Sequence, residues 1–464
     1  MPSRSVSRSA GSLGTVALVA ANLLPLVGVT VWGWSRYGLL AVYWVEVSVT
    51  VVVASIQALF AERGSPDVVG THEPLHELRE KRGGVRLGPS WPPVYPRNLP
   101  FALSMLGTWT LFGGVPAALA WLVLDVPVGV SVDLVVGVTA LAVAHAESFR
   151  SDYLGDARYA DVSAREILRT PAQLTLALVP IAFFGLAGGG PNAVLVAVVV
   201  GKTVLSVSRV STGPLGRALR SLADRLSTDE PMSTDRPEIA TPDAPVDARV
   251  TVRRRPVLLG SLAAVAMGFV SRVVLFLVAG VVAAIAAGRI RLAAAGVLVL
   301  VTAAAARVGS YVLRYGTIEY QRRGDRLVAY DTVLDAPQWS VPIGSAARFE
   351  TTNDIPDRLL DTGTLRVSGV EGAPGDTVQF GPVDDLERAV ETLGLPVEPE
   401  ARPERDPAVI LAGVGLAASF GAVPVALFAS AAVGAGEAVA IIVALGPFFL
   451  LPIGAALWAA LSRV

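Results

Sequence analysis

Cysteine is absent from this chain of 464 residues, which excludes disulfides, thiolate metal ligands and cysteine nucleophiles together. Lysine is nearly absent: Lys81 and Lys202 are its two occurrences, so arginine carries almost all of the basic charge. Charge of either sign is scarce. Asp, Glu, Lys and Arg make up 17% of the residues, against roughly 25% in ordinary soluble domains. Signatures of nucleotide and acyl chemistry are missing as well. The chain has no P-loop, no dinucleotide-binding glycine pattern in a βαβ setting and no nucleophile elbow. Gly188-Gly189-Gly190-Pro191 lacks the Lys-Ser/Thr that phosphate binding needs. Arginine in place of lysine, with acidic loops, fits a salt-adapted composition of the halophilic type.

Apolar residues are abundant, at 53% with a mean hydropathy of +0.57. They concentrate in ten runs near 13–34, 37–60, 101–124, 128–148, 172–189, 192–210, 257–287, 291–312, 408–430 and 436–461. Crossing a bilayer takes about 20 predominantly apolar residues. The runs therefore predict an all-α polytopic membrane protein of about ten transmembrane helices. The basic start, with Arg4 and Arg8, resembles a signal peptide. No small-residue cleavage site ends a short apolar core, and a second run follows at once, so the first run reads as a retained helix. Arg272 interrupts the seventh run, which leaves open whether 257–271 crosses or lies at the interface.

Lys and Arg in the loops set orientation. One set of connections holds Arg63, Arg79, Lys81, Arg82, Arg86, Arg97, Arg150, Arg158, Arg165, Arg169 and Arg253-Arg254-Arg255; the other holds Arg36, Arg289 and Arg291. The bias puts both termini and every long loop in the cytoplasm of a cell membrane. The domain order that follows is a six-span unit at 1–211, a disordered linker at 212–256 rich in Ser, Thr, Asp and Pro, two spans at 257–314, a soluble block at 315–400, and two spans at 401–464.

The soluble block alternates with period two in Ile318-Glu-Tyr-Gln, Arg326-Leu-Val-Ala-Tyr, Gln338-Trp-Ser-Val-Pro-Ile, Ala347-Arg-Phe-Glu-Thr-Thr, Gly363-Thr-Leu-Arg-Val-Ser and Asp376-Thr-Val-Gln-Phe. Val383-Asp-Asp-Leu-Glu-Arg-Ala-Val-Glu-Thr-Leu then turns helical, with Asp384 and Asp385 suited to the positive helix start. Strands closed by one helix predict a small curved sheet or barrel with a helical plug. Arg314-Tyr315, Asp325-Arg-Leu-Val, Val341-Pro-Ile, Asp357-Arg-Leu-Leu-Asp-Thr-Gly-Thr-Leu-Arg-Val and Gly381-Pro-Val-Asp-Asp-Leu-Glu resemble the bacterial pleckstrin-homology-like domain of multi-pass membrane proteins. Between Thr317 and Asp406 the chain has eighteen Asp/Glu and nine Arg, a balance of −9. A phosphoinositide pocket needs a basic cluster, so partner binding or scaffolding is the expectation instead.

Nearer the start, Asn22-Leu-Leu-Pro-Leu-Val-Gly-Val, Trp32-Gly-Trp34, Tyr43-Trp44-Val-Glu46, His145, Ser148-Phe149, Tyr153-Leu-Gly, Pro171 and Lys202-Thr203 resemble an uncharacterised family of polytopic membrane proteins, the domain of unknown function 6498. No activity comes with that resemblance.

Four polar residues in apolar runs form a candidate intramembrane cluster: Glu46, His145, Glu147 and Lys202. An ionisable group at that depth is a functional-site hypothesis, and its structural counterpart is an interhelical hydrogen bond that locks packing. Candidate partners for Glu46 are Arg36, His145, Glu147 and Lys202. Trp32, Trp34, Tyr37, Tyr43 and Trp44 read as interface anchors, and Gly107, Gly113 and Gly114 as sites of close helix packing. His72-Glu73-Pro74-Leu75-His76 spells a zinc-protease string, but Pro74 sits inside the turn that would bring both histidines to one face.

The leading expectation is a non-enzymatic membrane protein with no cofactor, metal or nucleic-acid partner. It contacts the lipid bilayer and, through 315–400, a protein partner. A transporter or channel using Glu46 and Lys202 is the second reading, and a zinc metalloprotease the third.

Overall fold

The computed structural model describes residues 26–66, 74–115, 132–184, 190–210, 244–269, 271–344, 347–352, 362–370, 377–397 and 406–429, with a few isolated positions besides. Most of the first and tenth apolar runs, most of the 212–256 segment, His72, Glu73, Gly188 and the side chains of Lys202 and Arg272 lie outside the described residues. The chain forms two compact units. One comprises residues 1–79 and 84–236; the other comprises residues 80–83 and 237–464.

In the first unit, helix α1 (Arg36–Phe60) starts where the Ser35 side chain accepts from the Gly38 amide at 3.2 Å. Ala54, Ala58 and Ala61 bury no more than a methyl each. That lets α2 (Leu99–Trp109) and α4 (Ala164–Phe184) approach α1 and build a core with Val51, Phe101, Met105, Trp109, Ala164 and Leu168. Helices α3 (Val132–Ser148) and α5 (Gly190–Val210) also contact α1, with Tyr43 set among Leu195, Val198 and Val199 of α5. The chain beyond α1 is tied down by polar groups. Asn98 donates to the Ala61 carbonyl at 2.8 Å, and the Glu62 amide donates to Tyr159 O at 2.8 Å. Two short strands, β1 (Val85–Arg86) and β2 (Pro93–Val94), pair antiparallel.

The second unit opens with β3 (Ala248–Thr251), followed by α6 (Arg254–Phe269), α7 (Arg272–Ala286) and α8 (Ile290–Tyr315). Then come β4 (Ile318–Arg323), β5 (Arg326–Asp331), β6 (Ala336–Pro342), β7 (Arg348–Thr352), β8 (Gly363–Ser368) and β9 (Thr377–Val383), and the helices α9 (Leu386–Leu393) and α10 (Pro407–Ala429). Strands β3-β4-β5-β6 form one antiparallel sheet and β7-β8-β9 another. Six strands fall on the runs whose alternation predicts them. Gly324, at φ 61, makes the tight β4–β5 turn that a side chain would strain. Ile318, Tyr320, Leu327, Val341, Leu365, Val367 and Phe380 share a core that Ala389 and Leu393 of α9 close. The Tyr320 and Phe380 rings lie 4.0 Å apart at its centre.

Helix α9 starts at Asp385, whose carboxylate accepts from the Arg388 amide at 3.0 Å, and stops at Gly394 in the left-handed region. Asp385→Ala is expected to cost about 1 kcal/mol. Thermal unfolding of the purified chain checks it, and an unshifted midpoint contradicts a role for the cap.

The expected fold class needs correction. Among the described residues, two helices, α1 and α8, are long and apolar enough to cross a membrane, not ten. Three antiparallel sheets accompany them. The reasons are local. The seventh apolar run breaks at Ser271, whose hydroxyl accepts from the Val274 amide, into helices of 16 and 15 residues. The third run leaves α-helical geometry for a π-helical turn at Thr110–Gly114. The fourth gives a helix of 17 residues before a π-helical turn at Phe149–Gly155. A second difference concerns residues 248–251. The sequence places them in a linker, whereas they pair with β4 as an edge strand, with Val250 and Val252 against the core.

Candidate functional site

Glu46 lies half-buried on α1, one turn after the buried Tyr43, and its main-chain carbonyl accepts from Thr50 Oγ1 at 2.8 Å. His145, half-buried, and Glu147, exposed, occupy the last turn of α3, where the Glu147 carbonyl accepts from Ser151 Oγ at 2.8 Å. Lys202 belongs to α5. Arg36, a candidate partner of Glu46, instead donates from Nη1 to Asn192 Oδ1 at 3.1 Å. That bond draws the start of α1 towards α5. Glu46→Ala is expected to lower stability by about 1–3 kcal/mol, because the half-buried carboxylate interacts with its surroundings and its loss leaves a polar group unmatched, and Glu46→Gln to be nearly neutral. Thermal unfolding in detergent separates the two, and equal stability of alanine variant and parent sinks the packing role.

The zinc-protease string does not form a helix through its second histidine. Leu75 adopts a left-handed backbone at φ 57, and His76–Glu80 is a short 3-10 turn. Among the described residues, no group of three or more His, Asp or Glu could hold a metal ion.

The aromatic set divides in two. Trp32 and Trp34 are exposed, with ring centroids 5.6 Å apart. Trp44 reaches across to the π-helical turn after α2: its indole N–H donates to Gly113 O at 3.0 Å, while Trp109 Nε1 of α2 donates to Ser48 Oγ at 3.1 Å. A Cβ on Gly113 would meet the Trp109 ring at 2.7 Å, so glycine is required for this close approach. Trp44 thus stitches helices together, a role the sequence pattern did not separate from interface anchoring.

The most developed polar site lies in the second unit and escaped sequence reading. Asp331, at the end of β5, is fully buried. Its Oδ1 accepts from the amides of Val333 at 3.0 Å and Leu334 at 2.9 Å, an Asx turn that also orients the carboxylate. Its Oδ2 accepts from Thr317 Oγ1 at 2.7 Å and from Lys81 Nζ at 2.6 Å. Lys81, counted in the sequence among the loop charges that set orientation, is 5% exposed. The reason is the carboxylate, which makes burial of the ammonium tolerable. Burial pushes the Lys81 ammonium below the ordinary lysine value, and the Asp331 charge and hydrogen bond oppose that shift. The next residue is held by its main chain. The Arg82 amide donates to Gln338 Oε1 and Gln338 Nε2 donates to Arg82 O, both at 3.0 Å. Gly83 follows at φ 83, where a Cβ would lie 2.5 Å from Leu334 O and 2.9 Å from the Ala336 Cβ. The one available signal was lysine itself, a rare residue here, standing two positions before a glycine.

No curated protein sequence and no solved structure matches the chain. Residues 4–230 match the model of a family described as Family of unknown function (DUF6498), the uncharacterised family that the N-terminal motifs resemble.

Proposed function

We propose that this is a non-enzymatic membrane-associated protein. It enters the bilayer through α1 and α8 and presents residues 315–400 on the cytoplasmic side as a pleckstrin-homology-like module for a protein partner. The observation that carries the reading is the apolar surface left open on α8. Leu298 is 67% exposed and Val301 59%, with Val297 and Val299 beside them. Contiguous apolar patches of this kind mark membrane or protein contact. Helix α8 leads directly into β4, so a bilayer holding the helix would hold the module at its surface.

Two further features support the module's role. Strands in two antiparallel sheets around one core, closed by α9, are compatible with the small curved sheet or barrel with a helical plug that the alternation predicts. The acidic balance of −9 between Thr317 and Asp406 disfavours anionic lipid headgroups and favours a basic protein surface. Affinity capture with the tagged full-length chain is expected to retain partners that disappear when residues 315–400 are deleted, and an unchanged set of partners overturns the proposal. A reporter fused at Gly344 is expected to read cytoplasmic, and the opposite reading overturns the orientation.

A further inference from the structure

We propose that the pocket floored by Asp331 and walled by Gln338 is a recognition site for a Lys-Arg-Gly peptide, filled in cis by Lys81-Arg82-Gly83. This rests on the module being partner-binding and names the chemistry of the partner: a basic, lysine-bearing segment. Three features of the pocket each read one position. Thr317 Oγ1 and the amides of Val333 and Leu334 hold the Asp331 carboxylate by three hydrogen bonds that need no lysine. A buried, fixed anion is thereby ready for an ammonium, with little ordering left to do on binding. The Gln338 amide then hydrogen-bonds both main-chain groups of the second residue, as a neighbouring strand would. Finally, Leu334 O and Ala336 Cβ leave no room for a side chain on the third residue.

None of residues 80–83 belongs to the hydrophobic core that joins the two sheets and α9. The pocket residues come from 317 to 338, the start of β4 through the β5–β6 hairpin, so the site is complete without the segment that occupies it. The acidic balance of −9 between Thr317 and Asp406 suits a basic peptide.

The probe is a synthetic peptide of residues 78–85, Leu-Arg-Glu-Lys-Arg-Gly-Gly-Val, with a fluorophore at its C-terminus. The full-length chain carrying Lys81→Ala and Gly83→Val, purified in detergent, vacates the pocket. It is expected to bind the probe about tenfold more tightly than the unaltered chain, because a site occupied in cis shows reduced apparent affinity. Asp331→Asn added to that variant, or a methionine in place of the peptide's lysine, should abolish the gain. A folded variant that binds no better than the unaltered chain overturns the proposal.

A second measurement needs no variant. Lys81 and Lys202 are the chain's two lysines, so amine labelling read by mass spectrometry reports on Lys81 with Lys202 as internal reference. With reagent in excess of all amines, saturating peptide is expected to raise labelling of Lys81 by about fivefold as the segment is displaced. An unchanged ratio overturns the proposal. Partners captured through 315–400 while the peptide fails both measurements would remove this site and leave the partner-binding reading standing. Peptide binding without captured partners would do the reverse.

Discussion

Asp331→Ala should destabilise the second unit by about 3–5 kcal/mol, the usual cost of removing one member of a buried ion pair. Asp331 is 0% and Lys81 5% exposed, so water does not replace the lost interaction. The substitution leaves the ammonium of Lys81, the hydroxyl of Thr317 and the amides of Val333 and Leu334 without their acceptor. Most of the loss comes from these orphaned groups rather than from the attraction itself. The double variant Lys81→Met, Asp331→Asn should therefore recover much of it, since the asparagine oxygen still accepts and no charge remains buried. Thermal unfolding of the two proteins in detergent tests this. A loss below about 1 kcal/mol for Asp331→Ala would mean that the segment carrying Lys81 leaves its pocket freely.

The second large effect concerns the bilayer. Val301→Arg, in the middle of α8, is expected to oppose membrane insertion by about 3 kcal/mol, the cost of an arginine at the centre of a transmembrane helix. Ile290→Arg at the start of the same helix should change little, because a terminal arginine can extend to the interface. Both positions are well exposed, at 59% and 64%. In a helix facing water, arginine at either site would be equally harmless. The fraction of chain that resists alkaline extraction from membranes distinguishes the cases. Equal retention of both variants refutes insertion of α8.

These two predictions draw on different levels of information. The apolar length of α1 and α8 is written in consecutive residues. The same holds for the strands from β4 to β9, because alternation reports which side of a strand is covered. The start of α9 was legible for a similar reason: Asp385 caps the helix by a contact three residues away. Local periodicity does not tell how long a helix remains regular. The break of the seventh run near Ser271 was signalled by Arg272, whereas the π-helical turn at Thr110–Gly114 interrupts a run that hydropathy presents as continuous. Hydropathy averages over residues, whereas a change of helical geometry is set by single turns.

The candidate site shows the same boundary. Glu46, His145, Glu147 and Lys202 stand out because charge is rare in apolar runs. Lys81 and Asp331 do not stand out, since both sit in polar stretches where charge is ordinary and 250 residues separate them. By itself, the sequence determined the acidic, period-two character of the module, its closing helix and the two apolar helices. Only the tertiary structure decided that residues 248–251 form the module's first strand, with three helices between them and β4. It alone decided, too, that Lys81 is buried against Asp331. Both rest on pairings between distant segments, and a four-residue edge strand or a single lysine carries too little pattern to announce its partner.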